Sequence, residues 1–361
     1  MIATSSAIRV FFDERDGWVI RNLQLRRSWV VDAPTAAVAV AFMKPSEQDA
    51  VASALGGELD RDAVTARVSA LLSLGVLVHA GDGLDQALPA WAARGWAEAH
   101  DYLLATWSYP FEDYSQRGQE IDKERMRAYA STKADTVRSL QQKGTNALPL
   151  PGIEESLDQL ATLTELDLAN QLLTIASVAA LPIEMKRSRT PGADYIHRTS
   201  PSGGSRHPSE LYLLALSVPG MKRGVYHIAT QAATLGYVAD LPPEDDELKE
   251  MLPGAYRLPT IPKAIFVIST HFERNMYRYR EPRTLRTVYY DAGHLGGLIE
   301  ALADSDGLIA HGHHGFSDSY VAKLIRSDGL GVESPSYLVS IGQAADADPT
   351  KRRIGTSRLN A

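Results

Sequence analysis

Cysteine is absent from this sequence of 361 residues, which excludes disulfide bonds, thiolate metal sites and a cysteine nucleophile. Neither a G-x-G-x-x-G motif nor a P-loop occurs, so dinucleotide and nucleotide sites of those kinds have no support. No apolar run reaches the length of a membrane span, and no basic segment followed by an apolar run lies near residue 1. These absences predict a cytoplasmic protein with no membrane partner.

Positive charge is also scarce relative to negative charge. The 37 lysines and arginines are outnumbered by 44 aspartates and glutamates, which gives a formal net charge of −7. A chain of that charge does not bind nucleic acid by broad electrostatic attraction. The hydrophobic share of 44% and the charged share of 22% are those of ordinary globular proteins, and the length predicts two or three domains.

The N-terminal segment has the pattern of a winged helix. Apolar stretches at 7–12 and 18–20 flank a polar turn and predict a hairpin. Helices are expected to begin near Pro45 and Asp60, with a strand after them at 76–78. We therefore expect a winged-helix-like first domain, residues 1–87.

Three functions are open for residues 1–87. A DNA reader needs a basic helix, and the second helix offers only Arg61 and Arg67 as cations. A dimerisation module is a second alternative. A peptide-recognition module, in which a peptide adds as an edge strand to the hairpin, is favoured by the charge and by the neighbouring domain.

The remaining chain divides at a proline-rich stretch. Residues 88–147 are helical in character and predict a connector that packs through its aromatic side chains. Two prolines and a glycine make 148–152 the best candidate linker. A third domain, 148–361, combines an amphipathic helix with apolar stretches of strand length, at 166–176, 211–218, 224–228, 262–270 and 337–342. An α+β domain is expected.

A glycine-rich segment precedes the first of those strands. Residues 199–208, the glycine loop, read Thr-Ser-Pro-Ser-Gly-Gly-Ser-Arg-His-Pro. Adjacent glycines between serines leave backbone N–H groups uncovered, so a flat or anionic ligand can approach closely. The alternative is a surface turn that leads into the strand.

Two motifs carry a resemblance. The pattern SPSGG-x-x-HP-x-E-x-Y at 200–212 and the sequence Asp-Ala-Gly-His at 291–294 resemble the SagB/ThcOx-type, nitroreductase-like dehydrogenases, in the branch of peptide maturation dehydrogenases. The resemblance covers residues 148–353. It implies an α+β sandwich with a mainly antiparallel sheet flanked by helices, a homodimer, and bound flavin mononucleotide (FMN).

The resemblance also implies a cofactor site. The glycine loop and its flanks, a turn near 315 and a basic C-terminal segment would contact FMN. The residues are Arg198, Ser200, Ser202, Gly203, Gly204, His207, Gly315, Phe316, Arg352 and Arg353. For the C-terminal arginines, a basic tail with no ligand is the alternative.

Two catalytic residues are implied by the same resemblance. Tyr279 stands where the family keeps a proton-transfer tyrosine, and Arg278 stands where it has a lysine. Because a guanidinium stays charged, Arg278 would bind or polarise substrate and could not act as a base. The alternative is that Arg278 pairs with acidic residues at a dimer contact.

The histidines at 311, 313 and 314 are the right ligand type for a metal, but their spacing fits no familiar site. No metal site is expected. By resemblance, the segment is a turn that closes over the flavin. His294 is expected as a packed or capping residue at the start of a helix.

The sequence thus predicts an FMN-dependent oxidoreductase that oxidises an azoline or another modified side chain in a ribosomally made precursor peptide, beside a partner modifying enzyme. A second interpretation is a non-catalytic peptide-binding scaffold. It is favoured by residues 160–165, which lack the phosphate-binding arginine that the family has there. A DNA-binding regulator is a third interpretation.

Overall fold

The structure is a computed structural model that describes residues 1–57, 59–81, 87–110, 115–133, 142–186, 195–257 and 260–346. The chain divides into two units, Met1–Phe111 and Glu112–Ala361. The predicted three-part division stays a prediction. No helix of the described residues is long and apolar enough to cross a membrane.

The first unit contains five strands and five helices among its described residues. The strands are β1 (Ile2–Thr4), β2 (Ile8–Asp13), β3 (Gly17–Asn22), β4 (Arg27–Val31) and β5 (Leu77–His79). The helices are α1 (Ala33–Ala41), α2 (Gln48–Leu55), α3 (Arg61–Ser73), α4 (Ala87–Ala92) and α5 (Ala97–Thr106). Strands β2, β3 and β4 form one antiparallel sheet, and β1 pairs with β5.

Capping side chains set where two of these helices begin. Asp32 accepts a hydrogen bond from the Thr35 N–H and Asp60 from the Ala63 N–H, which satisfies donors that a helix start leaves open. The helices α1, α2 and α3 pack on one core with β2 and β3. The predicted hairpin and the two helices are present. The winged-helix assignment itself stays a prediction, since β4 and α1 stand between the hairpin and the helix pair.

The second unit contains a large sheet with helices. Its strands are β6 (Thr145–Pro149), β7 (Glu184–Lys186), β8 (Tyr195–His197), β9 (Ser209–Ala215), β10 (Gly224–Ala229), β11 (Thr234–Ala239), β12 (Ala264–His271), β13 (Leu308–His313) and β14 (Glu333–Gln343). Its helices are α6 (Gln116–Lys133), α7 (Ile153–Gln159), α8 (Leu168–Ala180), α9 (Asp246–Met251), α10 (Glu273–Met276), α11 (Leu285–Ser305) and α12 (Asp318–Leu324).

Seven strands form the main sheet in the order β13-β14-β12-β9-β10-β11-β6, and each neighbouring pair is antiparallel. Strands β9 and β12 are buried along their whole length, as their apolar runs predicted. The α+β class with a mainly antiparallel sheet flanked by helices is confirmed.

The main sheet separates two apolar clusters. Successive side chains of a strand point to opposite faces, so Leu211 and Leu213 join one cluster with α8 and α11, whereas Tyr212 and Leu214 join the other with α9 and α12. The sheet is therefore covered on both faces. The glycine loop lies at the start of β9, next to α11.

The linker prediction at 148–152 was wrong for its first two residues. Leu148 and Pro149 belong to β6, which pairs with β11 at the edge of the main sheet. Every residue of β6 is exposed, so the segment carries no apolar pattern that would indicate a strand. Proline is tolerated there because an edge strand leaves some N–H groups without a ladder partner.

Candidate functional site at the glycine loop

The glycine loop connects β8 to β9 and adopts an unusual backbone. Gly203–Ser205 form one short 3-10 turn. The φ angles of Gly204, Ser205 and His207 are 63°, 52° and 43°, in the left-handed region. Serine and histidine rarely adopt this conformation, which costs free energy unless the surroundings enforce it. The contacts around the loop are therefore what holds its shape.

The first contact comes from helix α11. Ser202 Oγ donates to Asp291 Oδ2 at 2.7 Å, and the Gly203 N–H donates to Asp291 Oδ1 at 3.1 Å. The His207 N–H in turn donates to Ser202 Oγ at 2.8 Å. Burial raises the pKa of the Asp291 carboxyl, and the bonds from Ser202 and Gly203 oppose that rise. One carboxylate thus holds the start of the turn, and Ser202 Oγ links it to His207 after the turn.

The second contact involves His207. Its Nε2 lies 2.7 Å from the Ile196 carbonyl oxygen, which can only accept, so Nε2 carries the proton. Burial lowers the pKa of His207 to about 3, so the ring is neutral at pH 7. Arg274 Nη1 donates to the His207 carbonyl at 3.1 Å. His207 therefore supports the loop through its ring and its backbone.

A buried ion pair lies below the loop. Arg274 is 1% exposed and pairs through Nη2 with Glu210, whose side chain is 0% exposed. The other Glu210 oxygen lies 3.3 Å from His227 Nε2. Both charges are thus paired and hydrogen bonded, as buried charges must be. The pair connects α10 to β9 directly after the loop.

A second carboxylate on the sheet extends this polar region. Glu333 on β14 accepts from Tyr212 Oη at 2.7 Å, Ser269 Oγ at 2.6 Å and Lys143 Nζ at 2.6 Å. The Lys143 N–H donates to His227 Nδ1 at 3.1 Å. The two carboxylates therefore share a hydrogen-bonded region across β9, β10, β12 and β14.

Both glycines of the loop face side chains that leave no room for a Cβ atom. At Gly203 a Cβ would collide with Thr287 Cγ2, and at Gly204 it would collide with the hydroxyl oxygen of Tyr279. A larger residue would thus displace one of these side chains, and at Gly204 it would also have to adopt a left-handed φ angle. The structure brings the predicted catalytic Tyr279 into contact with the predicted cofactor loop.

Arg278 has carboxylate contacts within its own chain. It pairs through Nη1 with Asp122 of α6, and Arg280 pairs with the other oxygen of the same carboxylate. Its guanidinium carbon lies 5.4 Å from the centroid of the Tyr279 ring. Arg278 thus forms an ion pair within its own chain, whereas the pairing at a dimer contact and the role of Arg278 toward substrate stay predictions.

A small cavity of about 10 Å³, roughly the room that one water molecule needs, lies beside the glycine loop. It is lined by Arg198, Ser200, Ser202, His207, Ser209 and Asp291, together with apolar side chains of α8 and α11. Four predicted cofactor residues thus share one cavity. Its volume is far below the roughly 300–1,000 Å³ of typical ligand pockets, so within one chain the cavity has no room for a cofactor.

Two polar groups in this cavity have unused hydrogen-bonding capacity. Arg198 Nη2 donates to Thr230 Oγ1 at 3.2 Å, but Arg198 Nε and Ser209 Oγ are buried without a hydrogen-bond partner among the described residues. Burial lowers the pKa of Arg198 to about 10, so it stays charged at pH 7. Buried donors need acceptors. The guanidinium of Arg198, together with the serine hydroxyls that line the cavity, suits an anionic or carbonyl-rich ligand. The unused donors of Arg198 and Ser209 suit the anionic or carbonyl oxygens that a ligand such as FMN carries.

The other predicted cofactor residues lie elsewhere. Gly315 contacts Gly254, whose N–H donates to the Gly315 carbonyl at 2.9 Å, and Phe316 packs with the α9 and α12 cluster. Within one chain these two residues are on the opposite face of the sheet from Asp291. Arg352 and Arg353 lie outside the described residues. Their assignment to FMN stays a prediction.

The histidines of β13 have ordinary structural partners. His313 Nε2 lies 3.0 Å from Ser340 Oγ, and burial lowers its pKa to about 4. Its ring stacks with His311 at a centroid distance of 5.9 Å. Within the described ranges, no group of three or more His, Asp or Glu side chains could hold a metal ion.

Helix α11 corrects one prediction and adds site residues. His294 is exposed and lies within α11, which begins at Leu285, so its placement at a helix start was wrong. Asp291, Glu210 and Arg274 support the loop but were not predicted as site residues. The first two stand inside the motifs that carry the resemblance, and that position was a usable signal. Arg274 had none.

One curated protein is similar in sequence. The trifolitoxin-processing protein TfxB of Rhizobium leguminosarum bv. trifolii is 30% identical over 132 residues, which cover 36% of this chain and 34% of that protein. This similarity supports the resemblance drawn from the motifs. The chain matches only about a third of the length of this relative. No protein-family profile matches the chain.

Solved structures also overlap with parts of the chain. A protein of Anabaena variabilis named as a nitroreductase is 20% identical, with a TM-score of 0.45, covering 62% of this chain and 47% of that one. The Escherichia coli microcin synthetase McbBCD complex with truncated pro-MccB17 bound is 20% identical with a TM-score of 0.38, covering 59% and 72%. A Ralstonia eutropha protein named as a nitroreductase is 16% identical with a TM-score of 0.37, covering 58% of this chain and 96% of that one.

Proposed function

We propose that this protein is an FMN-dependent oxidoreductase that oxidises a residue of a ribosomally made peptide during its maturation. The observation that carries the proposal is the cavity beside the glycine loop, where buried Arg198 Nε and Ser209 Oγ have no partner among the described residues. Tyr279 contacts the same loop at Gly204. The similarity to a trifolitoxin-processing protein supports a peptide as the substrate.

The cofactor would be held by groups of the chain itself. Arg198 and Ser209 would meet its anionic or carbonyl oxygens, and the backbone of Ser202, Gly203 and Gly204 would lie against its flat part. FMN, when bound, supplies a two-electron acceptor, and dissolved oxygen would reoxidise it with release of hydrogen peroxide.

The chain would manage the proton of the reaction. Oxidation would remove two hydrogens from the substrate: FMN would supply the acceptor for one of them as a hydride from carbon, and the other would leave the neighbouring atom as a proton. Tyr279 is the group beside the loop that would pass this proton on. Arg278, paired with Asp122 and stacked near the Tyr279 ring, would position the phenol.

The proposal also specifies partners. The cavity of one chain is smaller than FMN requires, so we propose that a second copy completes it in a homodimer. A precursor peptide would be the substrate, residues 1–87 would recognise it, and another modifying enzyme would act on the same peptide. The cytoplasm is the proposed location.

The proposal is tested by purifying the protein in air, recording its visible absorbance, and identifying any released flavin by mass. The expected result is close to one FMN per chain. Incubation with a precursor peptide that carries an azoline should then remove two hydrogen atoms from the peptide. A colourless protein that takes up no added FMN would rule the proposal out.

A non-catalytic scaffold is the second candidate. It is favoured by Arg278, which pairs with Asp122 where the resembled family has a lysine, and by the absence of arginine from residues 160–165. A scaffold would bind the peptide without removing hydrogen from it. Peptide binding by the colourless protein would support this candidate.

A further inference from the structure

The carboxylate of Asp291 contacts the glycine loop from the second turn of helix α11. Asp291 is 5% exposed and lies in the second turn of a helix that begins at Leu285. Both of its oxygens accept hydrogen bonds from the loop, one from Ser202 Oγ and one from the Gly203 N–H. Hydrogen bonds to an ionised acceptor are stronger than those between neutral groups.

A second residue of α11 fixes the same part of the loop. Thr287 lies four residues before Asp291, so the two side chains share one face of the helix. The Thr287 methyl group is packed where a Cβ of Gly203 would stand. The helix therefore holds Gly203 by a hydrogen bond and by a steric stop.

We propose that Asp291 is a positioning residue, whose ionised carboxylate sets the shape of the glycine loop and thereby the affinity of its cavity for FMN. The consequence for FMN rests on the proposed function, whereas the consequence for loop structure does not. Asp291 lines the cavity but its oxygens are already bonded to the loop, so it acts through Ser202 and Gly203.

The charge state of Asp291 gives this role a pH signature. Arg198 and His207 face it across the cavity, and His294 stands one turn later on the same helix. Burial raises the pKa of Asp291, so the carboxylate is protonated at a higher pH than an exposed aspartate would be. Below that pKa the wild-type side chain becomes neutral and resembles the amide of an Asp291→Asn variant.

The first test uses hydrogen exchange in the cofactor-free protein. In Asp291→Asn at pH 7, the amides of Gly203 and His207 should exchange at least about tenfold faster than in the wild type, because the amide keeps one neutral acceptor oxygen for the two donors, Ser202 Oγ and the Gly203 N–H, that the carboxylate binds. Asp306, a buried carboxyl at the far end of the same helix, provides the matched control. Asp306→Asn should leave the exchange rates of the Gly203 and His207 amides unchanged. Equal exchange in all three proteins would overturn the proposal.

The second test measures the dissociation constant of FMN by fluorescence quenching. Asp291→Asn should weaken binding about tenfold at pH 7, and this ratio to wild type should fall towards one as the pH drops through the pKa of Asp291. The ratio cancels the titration of the FMN phosphate. A ratio that is constant with pH would contradict a charge-dependent role.

A third variant covers the case in which Asp291→Asn does not fold. Ser202→Ala removes the donor from the loop side, and it should also speed exchange at His207 and weaken FMN binding. In the double variant the two effects should be less than additive, because they remove one shared bond. Full additivity would overturn the inference. A wild-type protein that binds no FMN but shows the exchange difference would refute only the proposed function.

Discussion

The two arginines beside the glycine loop differ in how much of their hydrogen-bonding capacity the chain uses. Arg278 is paired with Asp122, which also holds Arg280. Arg198 donates to one hydroxyl, and its buried Nε has no partner among the described residues. A buried donor without an acceptor is costly, so the difference supports the proposal that Arg198, and not Arg278, contacts a ligand.

Two buried aspartates, one in helix α11 and one at its C-terminal end, also differ in whether their carboxylate oxygens have hydrogen-bond partners. Asp291 uses both oxygens on the loop. Neither oxygen of Asp306 has a partner in the described part of the chain, and Asp306 stands at the helix C-terminus, where the macrodipole disfavours a negative charge. Asp306 does not line the cavity, so its oxygens without hydrogen-bond partners lower stability and contact no ligand there.

The largest effect is expected at Tyr279, and it should fall on turnover, whereas changes at Arg198 should fall on FMN affinity. Tyr279→Phe should lower kcat by about 10²–10⁴-fold, because it removes the proton-transfer group. The FMN dissociation constant should change by less than about threefold, since the ring remains in place. Turnover assays and FMN titrations on the same sample check both values. Equal losses in both would show that Tyr279 holds the cofactor instead.

The next effect tests the steric need for glycine. Gly204→Ala should weaken FMN binding by about 10–100-fold, because its Cβ meets the Tyr279 hydroxyl and its φ of 63° strains any other residue. Gly297→Ala on α11 is the control, since a Cβ there meets no atom within 4 Å. The control should be neutral or slightly stabilising. A Gly204→Ala protein that binds FMN normally would refute the assigned loop shape.

The third prediction concerns stability. The pKa of Asp306 is raised to about 6 by burial, from an ordinary 3.8. Because the carboxyl binds its proton more tightly in the folded state, protonation stabilises the fold at pH values below the pKa of the unfolded state. The free energy of unfolding should therefore fall by about 1–3 kcal/mol as the pH rises from 4 to 7. Asp306→Asn should remove this fall and stabilise the protein at pH 7. The prediction would be contradicted if the free energy of unfolding, measured by denaturation, changed with pH by the same amount in wild type and in Asp306→Asn.

The smallest effect is expected at the ion pair of Arg278. Asp122→Asn should cost about 1 kcal/mol of stability, because the pairs are only partly buried. FMN affinity should stay within about threefold of wild type, while kcat falls modestly through looser positioning of Tyr279. If Asp122→Asn lost FMN as strongly as a change at Arg198, the contrast between the arginines would fail.

The sequence predicted the central strands better than the edge of the sheet. β9 and β12 are buried on both faces and therefore appear as continuous apolar runs. β6 has only exposed residues and a proline, so it resembled a linker. What makes β6 a strand is its pairing with β11, which a local pattern does not contain.

The site was predictable where a motif is local and unpredictable where partners are distant. The glycine loop and Tyr279 were found from motifs. The bonds from Asp291 to Ser202, from Arg274 to Glu210 and from Arg278 to Asp122 join residues 89, 64 and 156 positions apart. Many acidic residues could have paired with each arginine, and only the fold selects among them.

The central claim is that Arg198 and the glycine loop bind FMN. The most direct measurement is a titration of cofactor-free wild type, Arg198→Met and Arg278→Met with FMN, monitored by fluorescence. We predict saturable binding by wild type and Arg278→Met, and binding weaker by about 10–100-fold in Arg198→Met, from the loss of a charge-assisted hydrogen bond. Absence of binding to the wild type, or an equal loss in both variants, would contradict the account.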